Sequence, residues 1–213
     1  MEQVLEPYLE ASRAELVERL TRVVSDPRVL SAFATIPRHL FVDAARRATA
    51  YDDRALPLLD GQTISQPSMI AIMLDALAAE PSQRALEVGA GSGYAAALLS
   101  TLVREVHAVE IRPALSSLAR VALERAKIHN VVIHEADGSE GLPSEAPFDR
   151  ILVSAAAREV PAALIDQLAP LGRIAIPVGG EQGQTLRVGT RARNGGIHWE
   201  ERTACIFVPL VST

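Results

Sequence analysis

Four residues at alternating positions, Glu87, Gly89, Gly91 and Gly93, form the pattern in this sequence that most directly suggests chemistry. They leave an apolar run typical of a β-strand and enter a run typical of a helix. Glycines in such a loop let the backbone turn tightly and approach a ligand, and the helix start offers free N–H groups. A dinucleotide fingerprint needs glycine at the sixth position from Gly89, where Tyr94 stands. The pattern predicts a ligand loop and argues against a nicotinamide dehydrogenase, although any tight turn could use these glycines.

Acidic residues stand where the next two predicted strands end. Glu110 ends the second strand, where a carboxylate can accept hydrogen bonds from a ribose diol. Asp137 and Gly138 follow the third strand. An Asp-Gly pair is commonly a turn, but in this series we predict that Asp137 binds an adenine amine. Three loops at successive strand ends are therefore expected to converge on one crevice.

The stretch Gly61–Pro67, GQTISQP, has no ionisable side chain but four hydrogen-bonding ones, on Gln62, Thr63, Ser65 and Gln66. Pro67 stands where an apolar helix pattern begins. Ser65 and Gln66 could therefore cap that helix, or the stretch could form a polar wall that holds a ligand. Both interpretations are compatible with the residues.

The elements that must position these residues form an alternating series. A helix is predicted over residues 8–24 and another over 27–34, with one or two turns over 43–50. Strands are predicted at 85–88, 106–109, 131–134, 151–154 and 174–178. Helices are predicted at 93–103, 113–127 and 160–169. A final pair, 185–190 and 204–210, flanks Asn194-Gly195-Gly196 and predicts an antiparallel hairpin. We expect an α/β fold: a doubly wound, Rossmann-like, mostly parallel sheet with an antiparallel C-terminal edge hairpin and an N-terminal helical extension.

Composition excludes several classes of protein. With 213 residues and a net charge of −5, the chain has no basic stripe with which to bind nucleic acid. No apolar run is long enough to span a membrane, and the N-terminus does not resemble a secretory signal. Cys205 is the only cysteine, which excludes an intrachain disulfide and favours the cytoplasm. We expect a monomer without a metal.

The sequence resembles the protein-L-isoaspartate O-methyltransferase family over roughly residues 29–211. The resemblance rests on GQTISQP, on ALEVGAGSGY from Ala85, on APFDRI from Ala146, on Val160-Pro161 and on FVPL from Phe207. The Glu-x-Gly-x-Gly-x-Gly pattern is common to class I S-adenosylmethionine-dependent methyltransferases, whereas Thr-Ile-Ser-Gln-Pro is close to diagnostic of this family.

The resemblance implies methyl transfer from S-adenosyl-L-methionine to the α-carboxylate of L-isoaspartyl residues in damaged proteins and peptides. It implies one methyltransferase domain over 1–213, with a helical extension at 1–50, an acceptor-site loop and helix at 51–80 and a cofactor-binding core at 81–213. It assigns Ser65 to the acceptor carboxylate as the catalytic residue. The implied cofactor-binding residues are Gln62, Thr63, Ile64, Glu87, Gly89, Gly91, Ser92, Glu110, Ile111, Asp137 and Gly138.

One departure from the family pattern and two alternative functions remain open. Leu59 and Asp60 stand where members commonly have Gly-Tyr, so a negative charge is expected near the site for a carboxylate. The chain could instead methylate an ordinary aspartate in a dedicated peptide partner. It could also bind the cofactor without catalysis if Asp60 has spoiled the acceptor site.

Overall fold

A seven-stranded sheet organises the computed structural model, which describes residues 2–180 and 182–212. The helices are α1 Glu2–Leu20, α2 Pro27–Thr35, α3 Pro67–Leu77, α4 Tyr94–Ser100, α5 Pro113–Arg125 and α6 Ala162–Asp166. The strands are β1 Leu56–Pro57, β2 Thr63–Ile64, β3 Arg84–Val88, β4 Glu105–Glu110, β5 Val131–Glu135, β6 Phe148–Val153, β7 Leu168–Gly180, β8 Gly183–Arg191 and β9 Ile197–Cys205. Short 3-10 helices cover Arg38–Phe41, Ala44–Thr49, Leu59–Gly61, Gly138–Glu140 and Pro143–Glu145.

The order of strands in the large sheet is β5-β4-β3-β6-β7-β8-β9. The five strands from β5 to β7 are parallel, and β8 and β9 are antiparallel. From β3 the chain moves outward through β4 to β5 and then returns to β6 on the other side of β3. This reversal opens a crevice at the carboxyl ends of β3 and β6, where ligands of such sheets bind. The predicted fold class is confirmed.

The two faces of the sheet carry separate apolar clusters. Ala85 faces a cluster that includes residues of α1 to α5, whereas Leu86 and Val88 face a second cluster that includes Leu164 of α6. Alternation along β3 thus sends neighbouring side chains into different layers, as expected for a strand buried on both faces. Helices on both faces hold the strand ends in place.

The N-terminal helices differ from their predicted limits mainly at the first one. α1 begins at Glu2 and ends at Leu20, whereas the prediction placed it at 8–24, and residues 21–23 form a turn. α2 matches its prediction because Pro27 occupies its first position and the Asp26 carboxylate accepts a hydrogen bond from the Arg28 amide at 2.8 Å. Within the described residues, no helix combines the length and the apolar character that crossing a bilayer requires.

Helix α3 carries the polar stretch at its N-terminus and is held at both ends by side chains from other elements. The Asp53 carboxylate accepts a hydrogen bond from the Ser68 amide at 2.8 Å. At the other end, Arg150 donates to the Ala78 carbonyl at 2.9 Å and Arg173 donates to the Ala76 carbonyl at 3.0 Å. An anion at the start and cations at the end also match the helix dipole.

The predicted second strand of the hairpin was wrong. The turn at Asn194-Gly195-Gly196 is present, but β9 spans Ile197–Cys205 and not 204–210. β9 lies at the sheet edge and is rich in charged residues, so its apolar signal is weak. The apolar residues after it run beside the end of β6: the Ala156 amide donates to the Val208 carbonyl, and the Leu210 amide donates to the Ala156 carbonyl, each at 2.8 Å.

The predicted helix at 160–169 was too long. α6 covers only Ala162–Asp166, and β7 begins at Leu168. A buried Gln167 ends the helix, and its carbonyl accepts a hydrogen bond from the Phe148 amide of β6 at 2.9 Å. Apolar periodicity alone does not separate a short buried helix from the strand that follows it.

Replacing Asp75 of α3 tests how the N-terminal helices are attached. Its carboxylate accepts hydrogen bonds from the Asp26 amide at 2.8 Å and from the Ser25 amide at 3.1 Å. We expect Asp75→Ala to lower the free energy of unfolding by about 1–3 kcal/mol, since it leaves both amides without this acceptor. Urea denaturation measures the change. Asp166→Ala, at an exposed carboxylate on α6, is the control, and equal losses in both variants would contradict the attachment.

Candidate active site

The loop between β3 and α4 has a backbone that only glycine adopts easily. Gly89, Gly91 and Gly93 have φ of +83°, +54° and +83°. A Cβ at Gly93 would also lie 3.2 Å from the Cβ of Ala119 on α5. The glycines therefore allow the tight turn that the sequence pattern predicts, and Gly93 leaves room for Ala119 of α5.

Glu110 at the end of β4 fixes two neighbouring loops. One carboxylate oxygen accepts a hydrogen bond from the Gly91 amide at 2.8 Å, and the other accepts one from the Arg112 amide at 3.0 Å. The side chain is nearly buried. Each carboxylate oxygen has two lone pairs, so both retain capacity for a further donor such as a hydroxyl.

Glu87 is fully buried beside the glycine loop. One carboxyl oxygen accepts a hydrogen bond from the Ser154 hydroxyl at 2.8 Å. The other, Oε2, has no hydrogen-bond partner among the described residues. Burial raises the pKa of Glu87 to about 8; the bond from Ser154 opposes this shift and the nearby Glu110 adds to it. The carboxyl group is therefore mostly protonated at neutral pH.

Three adjoining cavities lie at the carboxyl ends of the strands. The crevice cavity lies between the ends of β3 and β4 and the segment 208–211. The loop cavity, of about 510 Å³, lies between residues 63–69 and residues 204–208. The inner cavity lies between the glycine loop and residues 63–65. Thr63 and Ser154 line all three cavities, so the three spaces adjoin at these two residues.

The predicted site residues distribute among these cavities. The crevice cavity is lined by Gln62, Thr63, Gly89, Gly91, Glu110, Ile111 and Gly138. The inner cavity is lined by Thr63, Ile64, Ser65, Glu87, Gly89, Gly91 and Ser92. Ser65 also lines the loop cavity. Asp137 lines none of the three, because its Oδ1 faces Ser139 and accepts hydrogen bonds from the Ser139 amide at 2.9 Å and hydroxyl at 2.7 Å.

The possibility that Ser65 and Gln66 cap α3 is not what the structure contains. Gln66 stands at the cap position but makes no side-chain capping bond, and Asp53 accepts from the Ser68 amide instead. The Ser65 carbonyl accepts a hydrogen bond from Arg38 at 2.9 Å. Ser65 and Gln66 both line the loop cavity, which favours the polar-wall interpretation.

Asp60 lies away from the cavities. Its side chain is exposed, and it is absent from the lining of all three. The neighbouring Gln62 side chain donates to the Asp60 carbonyl at 3.3 Å. The negative charge that the sequence predicts near the stretch Gly61–Pro67 therefore lies on the exposed surface of the loop.

Sequence reasoning missed Ser154 and the segment 208–211 as lining residues. Ser154 follows β6 directly, so the rule that used the ends of the first three strands would have found it if applied to the fourth. Val208 and Leu210 were assigned to a strand, which hid their position over the crevice cavity. Among the described residues, no group of three or more His, Cys, Asp or Glu side chains is arranged to hold a metal ion.

The sequence matches known proteins of one family. The family model for protein-L-isoaspartate(D-aspartate) O-methyltransferase matches residues 11–213. The protein-L-isoaspartate O-methyltransferase of Roseiflexus castenholzii is 51% identical over 201 residues, covering 93% of this chain and 91% of its own length. That of Aeropyrum pernix is 45% identical over 212 residues, covering 97% of this chain and 81% of its own.

Solved structures agree with this assignment. One protein-L-isoaspartate O-methyltransferase aligns with a TM-score of 0.85 at 27% identity, over 94% of this chain and 66% of that longer chain. A Plasmodium falciparum protein described as the same enzyme, in complex with S-adenosyl-L-homocysteine, aligns with a TM-score of 0.80 at 27% identity, over 92% of this chain and 97% of its own. The match over nearly the whole chain shows that this protein belongs to the protein-L-isoaspartate(D-aspartate) O-methyltransferase family.

Proposed function

We propose that the chain binds S-adenosyl-L-methionine in the crevice and inner cavities and methylates the α-carboxylate of an L-isoaspartyl residue held in the loop cavity. The reaction class and the cofactor follow from the family and from the close relatives. The placement of the two substrates is our inference from the lining residues. One observation carries it: Thr63 and Ser154 line all three cavities, so both substrates can meet there.

The residues present fit the cofactor. The positive φ of Gly89 and Gly91 leaves their backbone open to close approach. Glu110 would hold a ribose diol, and the unpartnered Oε2 of buried Glu87 would accept from a cationic group of the cofactor. Gly138 lines the crevice cavity together with Glu110. A role for Asp137 as an adenine ligand needs its carboxylate to turn from Ser139. When bound, S-adenosylmethionine supplies a methyl group activated by a positively charged sulfur.

The acceptor wall has the chemistry that a carboxylate nucleophile requires. An α-carboxylate with an ordinary pKa near 4 is ionised at neutral pH, so no general base is needed. The Ser65 hydroxyl would donate to one carboxylate oxygen and direct the other towards the junction at Thr63. Positioning and exclusion of water are the main contributions left for the protein, and positioning alone can lower a barrier by several kcal/mol.

The product explains the biological use of the reaction. Methylation of an isoaspartyl carboxylate makes an ester that collapses to a succinimide, and hydrolysis of the succinimide partly restores the normal aspartyl linkage. The close relatives do not favour the two alternative functions, methylation of an ordinary aspartate in a dedicated partner and non-catalytic cofactor binding.

A matched pair of peptides that differ only in isoaspartyl or aspartyl linkage tests the function. With radiolabelled S-adenosylmethionine, we expect base-labile methyl ester on the isoaspartyl peptide and only background on the aspartyl peptide. Label on the aspartyl peptide alone would support the dedicated-partner function. Cofactor binding by calorimetry with no label on either peptide would support the non-catalytic one.

Substitutions of Ser65 and Glu110 separate the acceptor and cofactor roles. We expect Ser65→Ala to lower kcat about 10- to 100-fold, the loss of one hydrogen bond to a charged group, with little change in cofactor Kd. Glu110→Ala should mainly raise cofactor Kd. Initial rates and calorimetry with S-adenosylhomocysteine measure the two effects, and Ser31→Ala on the exposed face of α2 is the control. An equal loss of cofactor affinity in both variants would refute the division of roles.

Cofactor binding should release a proton from Glu87. Its pKa of about 8 means that Glu87 is protonated before binding at pH 7, and a cationic cofactor group favours the ionised form. Affinity should therefore rise with pH towards 8 and level off above it, with about one proton released at pH 7. Calorimetry in buffers of different ionisation enthalpy counts the protons. Glu87→Gln should abolish the release, and undiminished release in that variant would show another source.

A further inference from the structure

Arg38 is a fully buried cation behind the acceptor wall, by which we mean the stretch Gly61–Pro67. It lies in the short helix Arg38–Phe41, and its side chain has no exposed surface. Burial lowers its pKa only to about 10, so the guanidinium remains charged at neutral pH. Neither the family resemblance nor the site geometry described above gave this residue a role beyond a contact with a carbonyl.

The contacts of Arg38 join the two loops of the site. Nε donates to the Ala50 carbonyl at 2.8 Å and Nη2 donates to the Ser65 carbonyl at 2.9 Å. The guanidinium carbon lies 4.9 Å from the centre of the Tyr94 ring, and Tyr94 directly follows the glycine loop. Ser65 and Tyr94 both line the inner cavity. Arg38 thus lies against the acceptor stretch on one side and the cofactor loop on the other.

No carboxylate neutralises this cation at close range. None of the ion pairs in residues 2–180 and 182–212 includes Arg38, and its Nη1 is buried without a partner among them. Asp53 acts on it only through longer-range electrostatics. Burying an unpaired charge is costly. Two carbonyl bonds and the Tyr94 side chain, whose ring face and hydroxyl both favour the charged form and so raise the pKa of Arg38, offset only part of that cost. A neutral residue of similar size would avoid it, so the charge itself requires an explanation.

The negative charge of the acceptor carboxylate gives the buried Arg38 cation a role. The substrate is an anion, yet GQTISQP has no cationic side chain and the neighbouring Glu87 and Glu110 are acids. A guanidinium bonded to the acceptor carboxylate would stabilise the ground state and weaken the nucleophile. A guanidinium behind the Ser65 backbone attracts the anion across the wall without taking its lone pairs. In a partly desolvated site such a charge acts over several ångströms.

We propose that Arg38 is the positioning residue for the acceptor carboxylate: its buried charge draws the anion to Ser65, and its bond to the Ser65 carbonyl fixes the hydroxyl beside it. This inference rests on the proposed function. Arg38 does not touch the reacting atoms, so it acts through Ser65 and through the potential at the wall.

The test compares an anionic with a neutral ligand of the same shape. S-adenosylhomocysteine-loaded protein cannot transfer a methyl group, so the Kd of two peptides can be measured by calorimetry. One peptide contains isoaspartate, and in the other the α-carboxylate is replaced by a carboxamide. We expect Arg38→Met to reduce the preference for the anionic peptide about 10-fold or more, with little change in S-adenosylhomocysteine Kd. Arg38→Lys, which keeps the charge, should retain most of the preference.

Arg187→Met is the matched control. The Arg187 guanidinium on β8 also lies over an aromatic ring, 4.8 Å from the centre of Trp199, but Arg187 lines none of the three cavities, so its loss should change stability without changing the anion preference. A parallel loss of affinity for both peptides in Arg38→Met, or an unchanged preference, would overturn the inference. If Arg38→Met does not fold, the same ratio in Arg38→Gln and Arg38→Lys decides.

The two proposals fail in different ways. Failure of the proposed function would appear as no methyl transfer by the unmodified protein to any isoaspartyl peptide. Failure of the Arg38 inference would appear in an active protein whose preference for the anion does not depend on residue 38.

Discussion

The position of α3 over the sheet is the constraint on which the site depends. The polar stretch Gly61–Pro67 leads into this helix, so any displacement of the helix moves Ser65 relative to the glycine loop. The structure fixes α3 with charged side chains from three other segments, Asp53 at its start and Arg150 and Arg173 at its end. Each satisfies a backbone group that the helix leaves unpaired and matches the helix dipole in sign. Helix propensity would provide neither the direction nor the register that these bonds impose.

Much of the site was predictable because its signals are local. Glycine is favoured where φ is positive, and a carboxylate at the carboxyl end of a strand is expected at the crevice once the sheet is parallel. Both inferences need only a few neighbouring residues. The limits of β9 were not predictable in the same way, since an edge strand half exposed to water need not be apolar. The apolar run at 206–210 misled for the complementary reason: Val208, Pro209 and Leu210 line the crevice cavity without belonging to the sheet.

The roles of two residues depend on contacts that the sequence does not show. The rule for strand ends could have placed Ser154 at the crevice, but not its hydrogen bond to Glu87, 67 positions earlier in the chain. Arg38 would ordinarily be placed on the surface, because arginine is rarely buried without a partner. Only the packing of α4 and the acceptor stretch around it shows that its charge is enclosed. Such roles arise from contacts between distant segments and leave no local pattern.

The backbone geometry of a turn accounts for Asp60 better than a role at the acceptor does. It was expected to place a negative charge beside the acceptor, yet its backbone has φ +55° and ψ +34°, and Gly61 follows with φ +69°. Two successive residues of positive φ, closed by a hydrogen bond from the Gln62 amide to the Leu59 carbonyl at 3.0 Å, form the tight turn for which Asp-Gly is favoured. This turn joins β1 to β2 and leaves the Asp60 side chain exposed. Because aspartate tolerates the left-handed conformation, the geometry of the turn is sufficient to account for the residue, and the anion's attraction to the wall is decided by the buried cation behind it.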